Sequence, residues 1–226
     1  MTGTQAWKRM TIAMEAFANS SGTIILNDLI ATIQRNKQYL GDIDGAIGDG
    51  DHGINMNKGF SLCAEALRDN PGDLAHGLAV LSKILMTKIG GSMGPLYGYF
   101  FESMARESAG KEAIDAAVFG AMLRSSVTAI QAISDAAVGD KTLVDALVPA
   151  AATYEQSIAA GASFAQAIAL MKEAAVKGRD STRDMAARKG RASRLGERSR
   201  GTLDPGAASC CLILCSMADS IKKLIE

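Results

Sequence analysis

The sequence predicts an all-α protein of about eight helices, and three observations carry that prediction. Apolar residues recur at spacings of three and four through most of the 226 residues, the mark of helices with one buried stripe. Aromatic residues make up only 5% of the chain while hydrophobic residues make up 48% and methionines number 11. That composition favours helices over sheets, which draw on aromatic and β-branched side chains. Glycine-rich stretches gather between the periodic segments, and neither an internal repeat nor a useful strand alternation is present.

Taken in order, the spacing predicts a helix from Trp7 to about Ser20 and another from Asn27 to about Tyr39. The segment GDIDGAIGDGDHG, Gly41 to Gly53, holds five glycines and four aspartates and is expected to be exposed loop, because these residues disfavour helix interiors. Periodicity returns over Ile54 to about Arg68, stops at the turn DNPGD, and resumes from Leu74 to about Ile89. A second glycine cluster, GGSMGPLYG, leads into YFFESMARES, with Pro95 suited to a first helical turn. Lys111 to about Ala137 reads as one long helix. The punctuation Gly139-Asp140-Lys141-Thr142 follows, then a stretch from about Leu143 to Ala160 that Pro149 should kink or interrupt, then Ser163 to Lys177. A basic, glycine-interrupted stretch precedes a closing helix from about Ala207 to Leu224.

Length and composition favour a single domain, residues 1–226, with enough apolar content for a sizeable core. The 24 Lys and Arg balance 24 Asp and Glu, which argues against nucleic-acid or membrane partners attracted by net charge. Cys63, Cys210, Cys211 and Cys215 are too few and too unevenly placed for a disulfide framework; Cys211 and Cys215, one helical turn apart, read as core thiols. No apolar run reaches the roughly 20 residues of a membrane span, and the N-terminus lacks a cleavable leader pattern. A cytoplasmic location is expected.

The chemistry gathers in the loops. Asp44, Asp49 and Asp51 would repel one another without a cation between them, and all-oxygen ligands suit Mg²⁺ or Ca²⁺. An EF-hand is excluded, because its closing position would fall on Gly53, Asn55 or Phe60 rather than Glu. A solvated acidic turn is the alternative. Gly48, Gly50 and Gly53 also spell the dinucleotide fingerprint, but two aspartates would face the phosphates bare unless a metal lay between. Between Met185 and Gly201 the chain carries Arg188, Lys189, Arg191, Arg194, Arg198 and Arg200 against Glu197 alone. Such a stretch is a phosphate site or a solvated basic face; nucleic-acid contact is disfavoured because no aromatic residue accompanies it. DPGAAS, Asp204 to Ser209, then opens a helix whose N-terminus can hold an anion. His52 abuts the acidic loop, and His76 lies on a helical pattern as a surface residue. Lys141 in GDKT lacks the upstream glycines of a P-loop.

Together GDGDHGINMNKGF, GGSMGPLYG, GDKTLVDALVPA and GRASRLGERSRGTLDPGAAS resemble, in order and spacing, the DhaL family, the nucleotide-binding subunits of dihydroxyacetone kinases. The resemblance implies a barrel of eight antiparallel helices with ADP or ATP in the loops at one end. It implies two Mg²⁺ ions on Asp44, Asp49 and Asp51, with His52 and Asn55 beside the nucleotide. Arg191 and the Asp204-Pro205-Gly206 turn match nucleotide-contacting positions, and Arg191 joins the three aspartates as a residue of the transfer step. Ser92 and Met93 fall in the phosphate-binding glycine cluster, and Thr142 and Leu143 fall in the segment lining the base. Met93 departs from the family's serine, and a thioether cannot replace a hydroxyl donor. The implied activity is phosphoryl transfer to dihydroxyacetone or a related ketose held on a DhaK-type subunit, with ATP or a DhaM-type phosphotransferase-system protein as phosphoryl source; a homodimer is also compatible. The alternative is a non-catalytic Mg²⁺-nucleotide module that regulates a protein partner.

Overall fold

A computed structural model describes residues 15–226. Most of the helix expected over Trp7–Ser20 lies outside the described residues. Its last part is not α-helical: Ala16–Ala18 forms a short strand, β1, followed by a 3-10 helix at Asn19–Gly22. β1 pairs antiparallel with β2 (Ala113–Asp115), Phe17 opposite Ile114. Both of those side chains are buried in the core. The Asn19 side chain locks the arrangement by donating to the carbonyls of Ser108 and Lys111, each at 2.9 Å.

Nine α-helices follow among the described residues: α1 (Thr23–Arg35), α2 (Lys37–Ile47), α3 (His52–Asp69), α4 (Leu74–Lys88), α5 (Met93–Ser108), α6 (Ala116–Ile133), α7 (Val144–Ala159), α8 (Phe164–Ser181) and α9 (Pro205–Ile225). Each packs on the next from α3 to α9, and α1 closes the ring by packing on both α9 and α3. Eight helices therefore form the barrel, while α2 lies against α3 and α9. Most connections between packed neighbours are short, with the 182–204 segment between α8 and α9 the long exception, and the order is antiparallel, up-and-down. Alternate helices consequently begin at the same end.

The helix expected over Asn27–Tyr39 is two helices, broken at Asn36, whose side chain donates to the Thr32 carbonyl. The Gly41–Gly53 segment is also corrected. Gly41 to Ile47 is the second half of α2, and only Gly48 to Asp51 is loop. Packing overrides propensity here: a Cβ at Gly53 would sit 2.0 Å from the Lys37 carbonyl oxygen, so glycine lets α3 begin against the α2 backbone. The expected helix from Lys111 starts later, at Ala116, where the Asp115 side chain caps it by accepting from the Val118 amide, and ends at Ile133.

Pro149 does not interrupt α7, which runs through it. Proline supplies no N–H to the Asp145 carbonyl four residues back. At that carbonyl α8 makes its close approach, since a Cβ on Gly178 would lie 2.1 Å from the Asp145 oxygen.

The core is one contiguous apolar cluster. Phe60, Tyr97, Phe100 and Phe101 form one aromatic group, with Phe100 and Phe101 edge-to-face at 4.9 Å, and Phe119, Tyr154 and Phe164 form another. Burying each such ring stabilises the fold by about 1.5–3 kcal/mol. By length and composition alone α6 could cross a membrane. Its Phe119, Met122, Leu123 and Ile130 instead face the core, and Arg124 pairs with Glu155 on α7.

Candidate functional site

The up-and-down order brings the first residues of α3, α5, α7 and α9 to the wall of one cavity of about 850 Å³. The C-terminal residues of α2 and α6 complete that wall. The N-cap residues of α3, α5 and α7, which are Asp51, Ser92 and Leu143, make no side-chain capping bond. The first amides of α3 and α7 donate instead to the Asp44 carboxylate (His52 N, 3.1 Å) and the Thr142 hydroxyl (Val144 N, 3.2 Å), and the helix dipoles at such an end favour anions. Only α9 is capped from within, the Asp204 carboxylate accepting from the Ala207 amide at 2.7 Å.

Asp44, Asp49 and Asp51 each offer a carboxylate oxygen, and the three oxygens lie within 4.8 Å of one another. They reach this cluster from different elements. Asp44 is buried on α2 and accepts from the His52 amide at 3.1 Å, Asp49 is exposed in the short loop, and Asp51 is the residue before α3. Arg191, on a 3-10 segment spanning Arg191–Ser199, forms an ion pair with Asp49.

The residues that the family resemblance implies all line this cavity: Asp44, Asp49, Asp51, His52, Asn55, Ser92, Met93, Thr142, Leu143, Arg191, Asp204, Pro205 and Gly206. The basic stretch is less uniform than its sequence. Lys189 and Arg191 line the cavity, but Lys189 is paired with Asp135 at 2.6 Å, Arg188 lies 3.7 Å from Asp140, and Arg200 is paired with Glu197. Arg194 and Arg198 do not line the cavity.

His52 reaches across to α9. Its Nε2 lies 2.8 Å from Ser209 Oγ, which in turn lies 2.6 Å from the Tyr97 hydroxyl. Ser209 can donate its own proton to the Pro205 or Gly206 carbonyl, leaving its oxygen to accept from both neighbours. Burial drives the His52 pKa down to about 4 against the opposing pull of Asp44, so the ring is neutral at pH 7. Burial likewise raises Asp204 to about 7, with the Ala207 amide opposing.

Tyr97 and Ser209 escaped the sequence reading, as did the apolar wall of Leu96, Ile130 and Ile133. Ser209 stood in the DPGAAS motif and could have been found there. The others look like ordinary core residues, and nothing in their local spacing marks them.

The DAK2 domain family matches residues 46–219 of the chain. The PEP-dependent dihydroxyacetone kinase 2, ADP-binding subunit DhaL, of Listeria innocua is 36% identical over 205 residues, covering 89% of this chain and 94% of that one. The corresponding DhaL subunit of Escherichia coli K12 is 36% identical over 189 residues, covering 82% and 89%. Among solved structures, the dihydroxyacetone kinase of C. freundii in complex with AMP-PNP and Mg²⁺ superposes with a TM-score of 0.67 at 23% identity, over 97% of this chain and 37% of that one. That superposition establishes the shared all-α fold. The fold is an all-α barrel with one cavity walled by the first residues of α3, α5, α7 and α9 and by three converging carboxylates. This chain belongs to the DhaL family of dihydroxyacetone kinase subunits.

Proposed function

We propose that this chain is the nucleotide-binding subunit of a dihydroxyacetone kinase. It binds ADP or ATP with Mg²⁺ in the cavity and passes the terminal phosphoryl group to dihydroxyacetone, or a related small ketose, carried on a separate DhaK-type subunit docked at the open end. The observation that carries this reading is the convergence of three carboxylates, the N-termini of α3, α5 and α7 and Arg191 around a cavity of about 850 Å³, a volume in the range of small-ligand sites.

The oxygen-only donor set of Asp44, Asp49 and Asp51 fits a hard cation, and these residues would hold two Mg²⁺ ions. When bound, the ions supply neutralisation of phosphate charge. The protein's own share is positional, as phosphoryl transfer requires. Arg191 and the first-turn amides of α5 take phosphate oxygens, and His52 and Asn55 flank the nucleotide. Thr142 and Leu143, with the apolar wall of Ile130 and Ile133, receive the base, while Asp204-Pro205-Gly206 closes the site from α9. The neutral His52 ring is engaged with Ser209, so it orients rather than shuttles a proton.

The Listeria and E. coli relatives are named PEP-dependent. Those names favour a PEP-linked phosphoryl source over free ATP, and on this reading a DhaM-type protein rephosphorylates bound ADP and the chain works in the cytoplasm. Met93 favours a second reading, a nucleotide-binding regulator without turnover, because this cavity-lining residue has no hydroxyl to donate to phosphate.

The test begins with the thermal midpoint in ADP with and without Mg²⁺. Ligand at about 100 times its dissociation constant adds roughly 2.7 kcal/mol, and the rise should need both components. Reconstitution with a DhaK-type subunit and dihydroxyacetone then separates the two readings, since tight ADP binding without ketose phosphorylation selects the regulator.

A further inference from the structure

Lys141 lines the cavity, but its ammonium is held by backbone carbonyls. The side chain is 1% exposed, and its Nζ donates to four backbone carbonyls, those of Thr182 (2.8 Å), Met185 (3.2 Å), Ser199 (2.7 Å) and Thr202 (2.5 Å). An ammonium has three hydrogens, so four acceptors saturate it, and a buried charge needs such a cage to be tolerated. The backbone at Lys141 is held at φ +63°, the only non-glycine residue in the left-handed region among those described. That unfavourable conformation persists only where surrounding contacts enforce it. The Asp145 carboxylate supplies them, accepting from the amides of Gly139 and Thr142 on either side.

The four carbonyls have a telling distribution. Thr182 and Met185 stand where the chain enters the basic stretch, and Ser199 and Thr202 where it leaves. One ammonium therefore gathers both ends of the segment that carries Arg191. Further bonds brace the same junction: Gly201 donates to the Arg183 carbonyl at 2.8 Å, Ala187 to Ser199 Oγ at 2.8 Å, and Asp204 to Thr182 Oγ1 at 3.0 Å. The last of these ties the cage to the cap of α9.

We infer that Lys141 is a positioning residue whose ammonium closes the 182–204 segment into its working shape, setting Arg191 and the start of α9 against the cavity. The link from loop shape to ligand rests on the nucleotide reading above; the link from Lys141 to loop shape does not.

The experiment uses the full chain with Lys141→Met, Lys141→Ala and wild type. Amide hydrogen exchange across 183–203 is followed without nucleotide, and the ADP dissociation constant is measured in Mg²⁺. In folded Lys141→Met, exchange over 183–203 should rise at least tenfold while α4 and α5 keep their protection, and ADP should bind at least tenfold more weakly. For Lys141→Ala, propylammonium should restore both properties by refilling the cage, and 1-propanol should restore neither. Unchanged exchange in folded Lys141→Met overturns the inference. So does an alanine variant indifferent to the amine, which also decides the matter if the methionine variant does not fold. Unchanged ADP affinity beside a loosened loop overturns the link to the ligand. Failure of wild type to bind ADP counts against the nucleotide reading alone, because the exchange and rescue arms still judge Lys141.

Discussion

Arg191 and Asp49 form an ion pair that joins the basic 3-10 segment to the acidic loop. Both side chains are about half exposed, so the pair contributes little to stability. Its consequence is competition: a cation taken up at Asp49 competes with the guanidinium for that carboxylate. Arg191→Ala should therefore bind Mn²⁺ alone at least as tightly as wild type does. The same variant should lose roughly 1.5–3 kcal/mol of ADP affinity, the value of a charge-assisted hydrogen bond. Calorimetric titration with each ligand checks both signs, and a parallel loss of Mn²⁺ binding would refute the competition.

Asp49→Asn and Asp51→Asn should each abolish the Mg²⁺-dependent part of the ADP-induced rise in Tm while leaving the helical circular dichroism intact. Neither carboxylate is buried, and neither serves the core. Asp44 is different, because it also accepts from the His52 amide at the start of α3. Asp44→Ala should lower Tm even without ligand. Retained Mg²⁺-dependent stabilisation in both asparagine variants would remove these residues from the metal site.

Asp204 should imprint a pH dependence on stability. Its folded pKa of about 7, raised from 3.8 by burial, means the folded state holds a proton that the unfolded chain releases. The contribution is complete below about pH 4 and is lost as pH rises through about 7, by at most about 1.4 kcal/mol per pH unit. His52, lowered from 6.5 to about 4, acts oppositely, since stability falls as pH drops through that window. Asp204→Asn keeps an acceptor for the Ala207 amide and removes one titration. Urea unfolding from pH 4.5 to 7.5 should show Asp204→Asn gaining on wild type as pH rises; parallel curves would count against a raised Asp204.

Tyr97→Phe deletes the hydroxyl that meets Ser209 Oγ and the Gly206 carbonyl. Ser209 retains its contacts to His52 and to the Pro205 and Gly206 carbonyls, so the expected cost is about 1–2 kcal/mol of unfolding free energy. ADP affinity should change by less than a factor of ten. A larger loss of affinity than of stability would mean that Tyr97 touches the ligand itself.

Much of this was legible in the chain. The 3.6-residue periodicity marked α3, α4, α8 and α9 closely, because each buries one continuous apolar stripe. The Asp and Gly loop, the Arg191 stretch and DPGAAS stood out because those residue types are costly or uninformative in a core and must be explained otherwise. Local rules failed where packing set the price. Gly41 and Gly45 sit in a helix that propensity disfavours, since α3 begins at Gly53 against the α2 backbone, and Ala16–Ala18 became a strand because Ile114 lay ready to pair with Phe17.

The sequence by itself determined that this protein is helical, that its unusual residues gather in a few polar, glycine-rich stretches, and, through four motifs, its family. Only the tertiary structure decided that Asp44, Asp49, Asp51 and Arg191 meet at one cavity, that His52 turns to Ser209, and that the Lys141 ammonium is consumed by four carbonyls. Periodicity reports which face of a segment leaves water, a local free energy. Which distant groups then satisfy a buried charge is settled by the closure of the ring, when α9 docks against α1 and the two ends of the 182–204 segment are brought to the same ammonium.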